Sequence, residues 1–149
     1  MATIRQKQST YAITILTHQR RSIFTRAANA ELMQETLFRH RSLNRYQLHA
    51  FAIMPDHVHA LITPSPEHAL PRCIQFLKGS FSHAVREQYK GEVWHPGHYE
   101  HRIRDEEDFS NQRDYIAQNP HRRHLENHPC VHTRHPNQID PMPLYLGVR

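Results

Sequence analysis

The sequence predicts an α+β protein of ferredoxin-like type, with elements in the order β-α-β-β-α-β and one extra helix at the end. Three observations predict it. Two alternating, strand-like segments flank a run of helical period, the second strand runs straight into a third through a Met-Pro-Asp connection, and a last amphipathic helix follows a short fourth strand. A chain of 149 residues with 38% apolar content is the size of one domain with a modest core.

Residues 11–18 (YAITILTH) alternate, with Tyr11, Ile13 and Ile15 on one face. Thr25 is the expected N-cap of a helix over 26–41, in which Ala30, Met33 and Leu37 form one stripe. Residues 46–53 (YQLHAFAI) and 57–63 (HVHALIT) read as the second and third strands, the latter closed by Pro64 and Pro66. Ile74, Leu77, Phe81, Ala84 and Val85 recur at helical spacing within a helix expected over 71–89, with Gly91 as its terminator. Tyr99, His101 and Ile103 alternate in a short fourth strand. Asp105 then caps a helix whose first turn is acidic, which the helix dipole favours, and Pro120 is expected to stop it at Asn119. The folded domain is expected over residues 1–127. The Pro- and His-rich remainder, 128–149, is expected to be a weakly structured tail.

All but three of the 19 basic residues are Arg, and the formal charge is +5. Arg carries a rigid, permanently charged fork that grips phosphate oxygens in pairs, so this bias suits a polyanionic partner as well as it suits a merely soluble surface. No segment is long and apolar enough to cross a bilayer and no secretory signal is visible, so the expected location is cytoplasmic. Cys73 and Cys130 have no metal-type spacing and are expected to be reduced thiols.

His57 and His59 lie two apart in a strand, so they project from one face, roughly 6.5 to 7 Å apart, within reach of one ion. Such a pair also fits a wet sheet face, and what separates the readings is a third donor. Tyr115 and Asn119, four apart, share a face of the last helix. If that face meets the histidines, Asn119 completes a set of two nitrogens and one oxygen, and a phenol stands beside it. Tyr115 taken alone is equally a core aromatic. The combination fits phosphodiester cleavage, which needs an in-line nucleophile and a group that absorbs charge on the phosphate. A phenol becomes competent only when it loses its proton and the phosphorus is made more electrophilic, a task for Mg²⁺ or Mn²⁺. The ester formed on tyrosine keeps the energy of the broken bond, so rejoining needs no nucleotide cofactor.

Two runs, MPDHVHALITP (54–64) and YIAQNP (115–120), together resemble the REP-associated tyrosine transposases, relatives of the single-tyrosine HUH transposases of insertion sequences. THQRRSIF (17–24), FLKGSFS (76–82) and the stretch from Trp94 through YEHRIRDEEDF (99–109) fit in the same order, so the resemblance spans residues 11–125. It implies an HUH endonuclease fold and cleavage of single-stranded DNA at palindromic hairpins through a 5′-phosphotyrosine. It further implies Tyr115 as nucleophile and His57, His59 and Asn119 as metal ligands; the sequence leaves both monomer and homodimer open. The run HRRHLE (121–126) departs from the small and aliphatic residues usual there. The alternative is a hairpin-binding protein without catalysis on the same fold; a third reading is a hydrolase that uses water in place of tyrosine.

Arg20, Arg21, Lys78, Arg102, Arg104, Arg122 and Arg123 are the candidate phosphate contacts. Gly79, costly inside a helix by about 1 kcal/mol, suggests a close approach by DNA or by another helix. Asp56 is placed to orient a ligand histidine or simply to form the turn. Trp94 and Tyr99 are candidates to stack on bases, Trp94 equally a core residue, and His101 reads as a half-buried strand histidine. His121, His124, His128, Cys130, His132 and His135 have no regular finger spacing.

Overall fold

The computed structural model describes residues 8–122 and 136–147. Its elements are β1 (Tyr11–Leu16), α1 (Ala27–Ser42), β2 (Tyr46–Met54), β3 (His57–Pro64), α2 (Leu70–Ala84), β4 (Tyr99–Arg102), α3 (Glu106–Arg122) and a short α4 (Leu144–Gly147). The strands form one antiparallel sheet in the order β2-β3-β1-β4. This is the ferredoxin-like arrangement expected from the sequence.

The sheet is covered on both faces, and strand alternation decides which side chain goes where. Ile13 and Ile15 of β1, Phe51 and Ile53 of β2, and Val58, Ala60 and Ile62 of β3 meet α1 and α2 in the larger core. The expected helical stripes supply the other half: Ala30, Met33 and Leu37 from α1, and Ile74, Leu77 and Phe81 from α2. On the opposite face Ala50, Ala52 and Met54 of β2 and Leu61 of β3 pack with Ile103, Phe109 and Ile116. The two alanines leave room for α3 to lie across that face. Burying Phe109 and Ile116 there stabilises the docked helix by roughly 1.5–3 kcal/mol per side chain. Cys73 is a buried free thiol, pushed up to about 12 by burial; Cys130 lies outside the described residues.

Several local expectations are corrected. Thr25 does not cap α1; its hydroxyl donates to the Ser22 carbonyl at 2.8 Å within a 3-10 turn, and Arg26 precedes the helix without a side-chain cap. α2 stops at Ala84 rather than near Tyr89, because the chain turns there and carries the Tyr89 hydroxyl back to Asn29 of α1, 3.1 Å away. α3 continues through Pro120 to Arg122. A proline removes one intrahelical bond, here the one to the Ile116 carbonyl, and tertiary packing of the helix outweighs that local preference. Asp105 caps as expected, its Oδ1 accepting the Asp108 N–H at 2.8 Å.

The segment from Pro136 is docked, at variance with a weakly structured tail over that part; residues 123–135 lie outside the described set. Asp140 accepts two bonds from Arg41, at 2.9 and 3.0 Å, and one from the Leu48 N–H at 2.8 Å, while its own N–H reaches the Leu48 carbonyl at 2.7 Å. Met142 and Leu146 pack on the α3-side core, and the Tyr145 hydroxyl lies 2.7 Å from that of Thr10. The Leu48 N–H and carbonyl of edge strand β2 are thereby satisfied by this docked segment.

Partial burial works to raise the Asp140 carboxyl, but the bonds from Arg41 and Leu48 outweigh it and hold it below the ordinary carboxylate value. A depressed carboxylate contributes stability above its unfolded value, and that contribution is lost as pH falls through the folded one. Asp140→Asn should therefore lower stability at neutral pH by about 1–3 kcal/mol. Denaturant midpoints of the two proteins, compared across acid pH, should converge as the native carboxylate protonates.

Candidate active site

The turn between β2 and β3 places His57 at the start of β3, and the strand period places His59 on the same face. The two rings meet edge to face, with centroids 4.7 Å apart and the two Nε2 atoms 3.1 Å apart. Each outer ring nitrogen is held. His57 Nδ1 lies 2.7 Å from Asp56 Oδ1, and His59 Nδ1 lies 2.9 Å from the hydroxyl of Thr14, its register partner on β1. Arg20 closes the chain, its Nε–H donating to Asp56 Oδ2 at 2.9 Å. Partial burial works to raise Asp56, but hydrogen bonds from His57 and Arg20 outweigh it and hold the carboxyl below its usual value.

A strained loop delivers Arg20. Gln19 and Arg20 have φ of 55° and 54°, in the left-handed region that costs non-glycine residues roughly 1 kcal/mol or more each. The loop is over-determined by its surroundings: the Thr17 N–H donates to the Asp56 carbonyl at 3.0 Å, and the Phe24 N–H to that of Pro55 at 3.0 Å. The same bonds fix the turn that carries Asp56.

α3 crosses this face and brings its own pair. The Tyr115 ring, 48% exposed, stands 6.3 Å from that of His59 at an interplanar angle of 81°. Asn119, one turn on, is 3% exposed. Thr14, Arg20, His57, His59, Tyr99, Tyr115 and Asn119 line one cleft of about 260 Å³. A second cleft, lined by Ala12, Thr14, His59, Tyr99, His101, Gln112 and Tyr115, shares four of its walls with the first, so together they form a trough between β4 and α3. At its far end His101 Nε2 lies 2.9 Å from both carboxylate oxygens of Asp108. Burial works to raise Asp108, and bonds from the Arg104 N–H and His101 outweigh it and lower it.

The donor set suits one divalent cation. An ion between the rings needs a lone pair on both Nε2 atoms, hence a proton on both Nδ1 atoms, and each Nδ1 faces an oxygen able to accept it. Among the described residues no three His, Cys, Asp or Glu side chains converge as a metal site; the Asn119 amide lines the same cleft and offers an oxygen that could complete the set.

The other phosphate-contact candidates are dispersed. Arg20 lines the cleft with its side chain 56% exposed. Arg21 instead donates to the carbonyls of Glu92 and His18 and lies over the Tyr89 ring. The Lys78 ammonium donates to the carbonyls of His95 and Gly97, at 3.0 and 2.7 Å, and so holds the loop before β4. Arg102 and Arg104 flank a separate cleft beside Tyr145. Arg122 belongs to α3 by its backbone, and Arg123 lies outside the described residues. A Cβ on Gly79 would meet nothing within 4 Å, so no helix approach accounts for that glycine. Trp94 is a core residue, packed on Phe24 and Phe81. Thr14, Asp108 and Gln112 escaped the sequence reading; only the β1 alternation, which sets Thr14 opposite the buried isoleucines, hinted at the first.

The profile described as Transposase IS200 like matches residues 5–119. The chain belongs to the IS200-like transposase family. A REP-associated tyrosine transposase of Escherichia coli is 24% identical over 115 residues, covering 76% of this chain and 67% of that one. A Haemophilus influenzae protein assigned to the same group is 32% identical over 83 residues, 48% of this chain, and the match spans about half of that relative. Among solved structures, a REP-associated tyrosine transposase bound to a REP hairpin superposes with a TM-score of 0.73 at 21% identity, covering 95% of this chain and 89% of the other. That likeness establishes the shared fold. Among the described residues no helix is long and apolar enough to cross a membrane.

The hydrogen-bond chain behind the histidines has a direct signature. At alkaline pH, where the rings are neutral, His57 should carry its proton on Nδ1, facing Asp56, and Asp56→Ala should release that preference. Long-range ¹H–¹⁵N NMR reads the tautomer; a wild-type His57 protonated on Nε2 contradicts the assignment.

Proposed function

We propose that this IS200-like transposase nicks and rejoins single-stranded DNA at hairpins of palindromic repeats, with Tyr115 as the nucleophile. The observation that carries the reading is the half-exposed Tyr115 ring beside the His57–His59 pair, inside a trough open to solvent. The relative solved with a REP hairpin supports hairpin DNA as the partner.

The phenolic oxygen of Tyr115 attacks the scissile phosphorus, a bond forms between them, and the bond from phosphorus to the 3′ oxygen breaks. The phenol gives up its proton, the departing 3′ oxygen takes one up, and a 5′-phosphotyrosine remains on the protein. Attack by a 3′-hydroxyl reverses the step, so cutting and joining are nearly balanced in energy. When bound, a Mg²⁺ or Mn²⁺ ion held by His57, His59 and Asn119 polarises the phosphate and offsets its developing charge. Asp56 and Thr14 keep both imidazoles aimed at a common point, which spares the reorganisation that a loose pair would require. Arg20, anchored through one nitrogen on Asp56, extends the rest of its guanidinium at the mouth of the cleft, where it supplies positive charge to a phosphate.

The native protein with Mn²⁺ should form a covalent adduct with a 3′-labelled single-stranded hairpin oligonucleotide, resolved on a denaturing gel, because the label must lie on the fragment whose 5′ phosphate joins Tyr115. Tyr115→Phe should abolish the adduct while hairpin binding persists within a few-fold. His57→Ala should slow adduct formation by about 10²-fold or more, and a chelator should do the same to the native protein. Scission that survives in Tyr115→Phe and releases free ends would assign the chemistry to water; binding without scission under every divalent ion tested would leave a hairpin-binding protein.

A further inference from the structure

Four large apolar side chains are exposed among the described residues: Leu43, Tyr99, Tyr115 and Leu144. The two aromatic ones line the same trough. Tyr115 has a role in the proposed reaction; Tyr99, 65% exposed, does not. Its position is set by the sheet. Tyr99 pairs with Thr14, which pairs with His59, so the three stand in one row across β4, β1 and β3. In the next row His101 pairs with Ala12, which pairs with Leu61.

We infer that the part of the trough beyond Tyr115 is a nucleobase subsite, with the Tyr99 ring as its stacking wall; the inference rests on the reading of the protein as one that handles single-stranded DNA. The floor is Ala12, the smallest side chain that β1 presents to this face, so a flat ring can descend between β4 and α3. The space, about 260 Å³, lies just below the range of pockets that hold drug-sized ligands, and suits one base rather than a paired stem. Its polar edge comes from Gln112, three residues before Tyr115 on α3, and from His101. An amide offers both donor and acceptor to a base edge. The imidazole of His101 is fixed by its two 2.9 Å contacts with Asp108, which leaves Nδ1 as its remaining polar atom. Aromatic stacking on an unpaired base tolerates any base and adds affinity per base stacked, so Tyr99 seats the nucleotide and the polar edge discriminates among bases. A base held here beside Tyr115 ties the position of the neighbouring phosphate to that of the phenol, which is how remote binding serves an in-line attack.

The test uses the full chain carrying Tyr115→Phe and hairpin oligonucleotides in which 2-aminopurine is walked through the unpaired positions beside the stem. One position should show fluorescence quenching on binding. Adding Tyr99→Ala should remove that quenching and weaken binding by about ten-fold, whereas Tyr99→Phe should preserve both. Ala12→Leu, which fills the floor without touching the wall, should reproduce the loss. DNA that binds with no Tyr99-dependent position overturns the subsite and leaves the nicking reaction standing. A Tyr99-dependent position in a protein whose native form never cuts DNA overturns the reaction and leaves the subsite. A chain that binds none of these oligonucleotides overturns both.

Discussion

The docking of α3 on the second face of the sheet is the contact on which the rest depends. Sheets of this type carry their helices on one face, and the other must be covered or wetted. Here Phe109 and Ile116 press onto Ala50, Ala52, Met54 and Leu61, and the same helix turn that buries Ile116 leaves Tyr115 facing out beside His59. One amphipathic helix thus closes a core and builds the wall of a trough. Its register leaves little latitude, because a rotation of one residue, about 100°, would exchange the buried isoleucine for the phenol.

Behind the histidines the structure invests in rigidity. Arg20, Asp56, His57, His59 and Thr14 form a continuous line of polar contacts drawn from the loop after β1, the β2–β3 turn, β3 and β1, with the two imidazole Nε2 atoms face to face at its centre. Two residues in left-handed backbone conformation stand at its outer end, held by backbone bonds to the turn itself. Strain tolerated where it fixes a charged side chain over a ligand-like pair is the pattern of a prearranged site. Lys78 and Arg21, which composition alone groups with the phosphate contacts, serve instead to pin loops through carbonyl oxygens.

The chain's end solves a different problem. β2 is an edge strand with both faces buried, an invitation to pair with another chain. Asp140 and its neighbours occupy part of that edge, with Arg41 of α1 holding the carboxylate from the helical side. At the opposite edge β4 is only four residues long and carries Glu100 and Arg102, which discourages pairing by length and by charge. The trough lies between that short strand and α3.

Sequence periodicity alone determined the order of strands and helices, the stripes of α1 and α2, and the shared faces of the His57–His59 and Tyr115–Asn119 pairs, because these follow from local geometry repeated every two or four residues. The same locality misplaced the ends: Thr25, Tyr89 and Pro120 are positions where packing outweighs the preference of a single residue. Only the tertiary structure decided that the two pairs meet, since their meeting depends on which face of the sheet α3 covers, a contact between segments some sixty residues apart. It also decided that Thr14 and Asp108 matter, and that the end of the chain is docked, because a hydroxyl or carboxylate gains its role from the partner across the sheet, and no local pattern marks that partner.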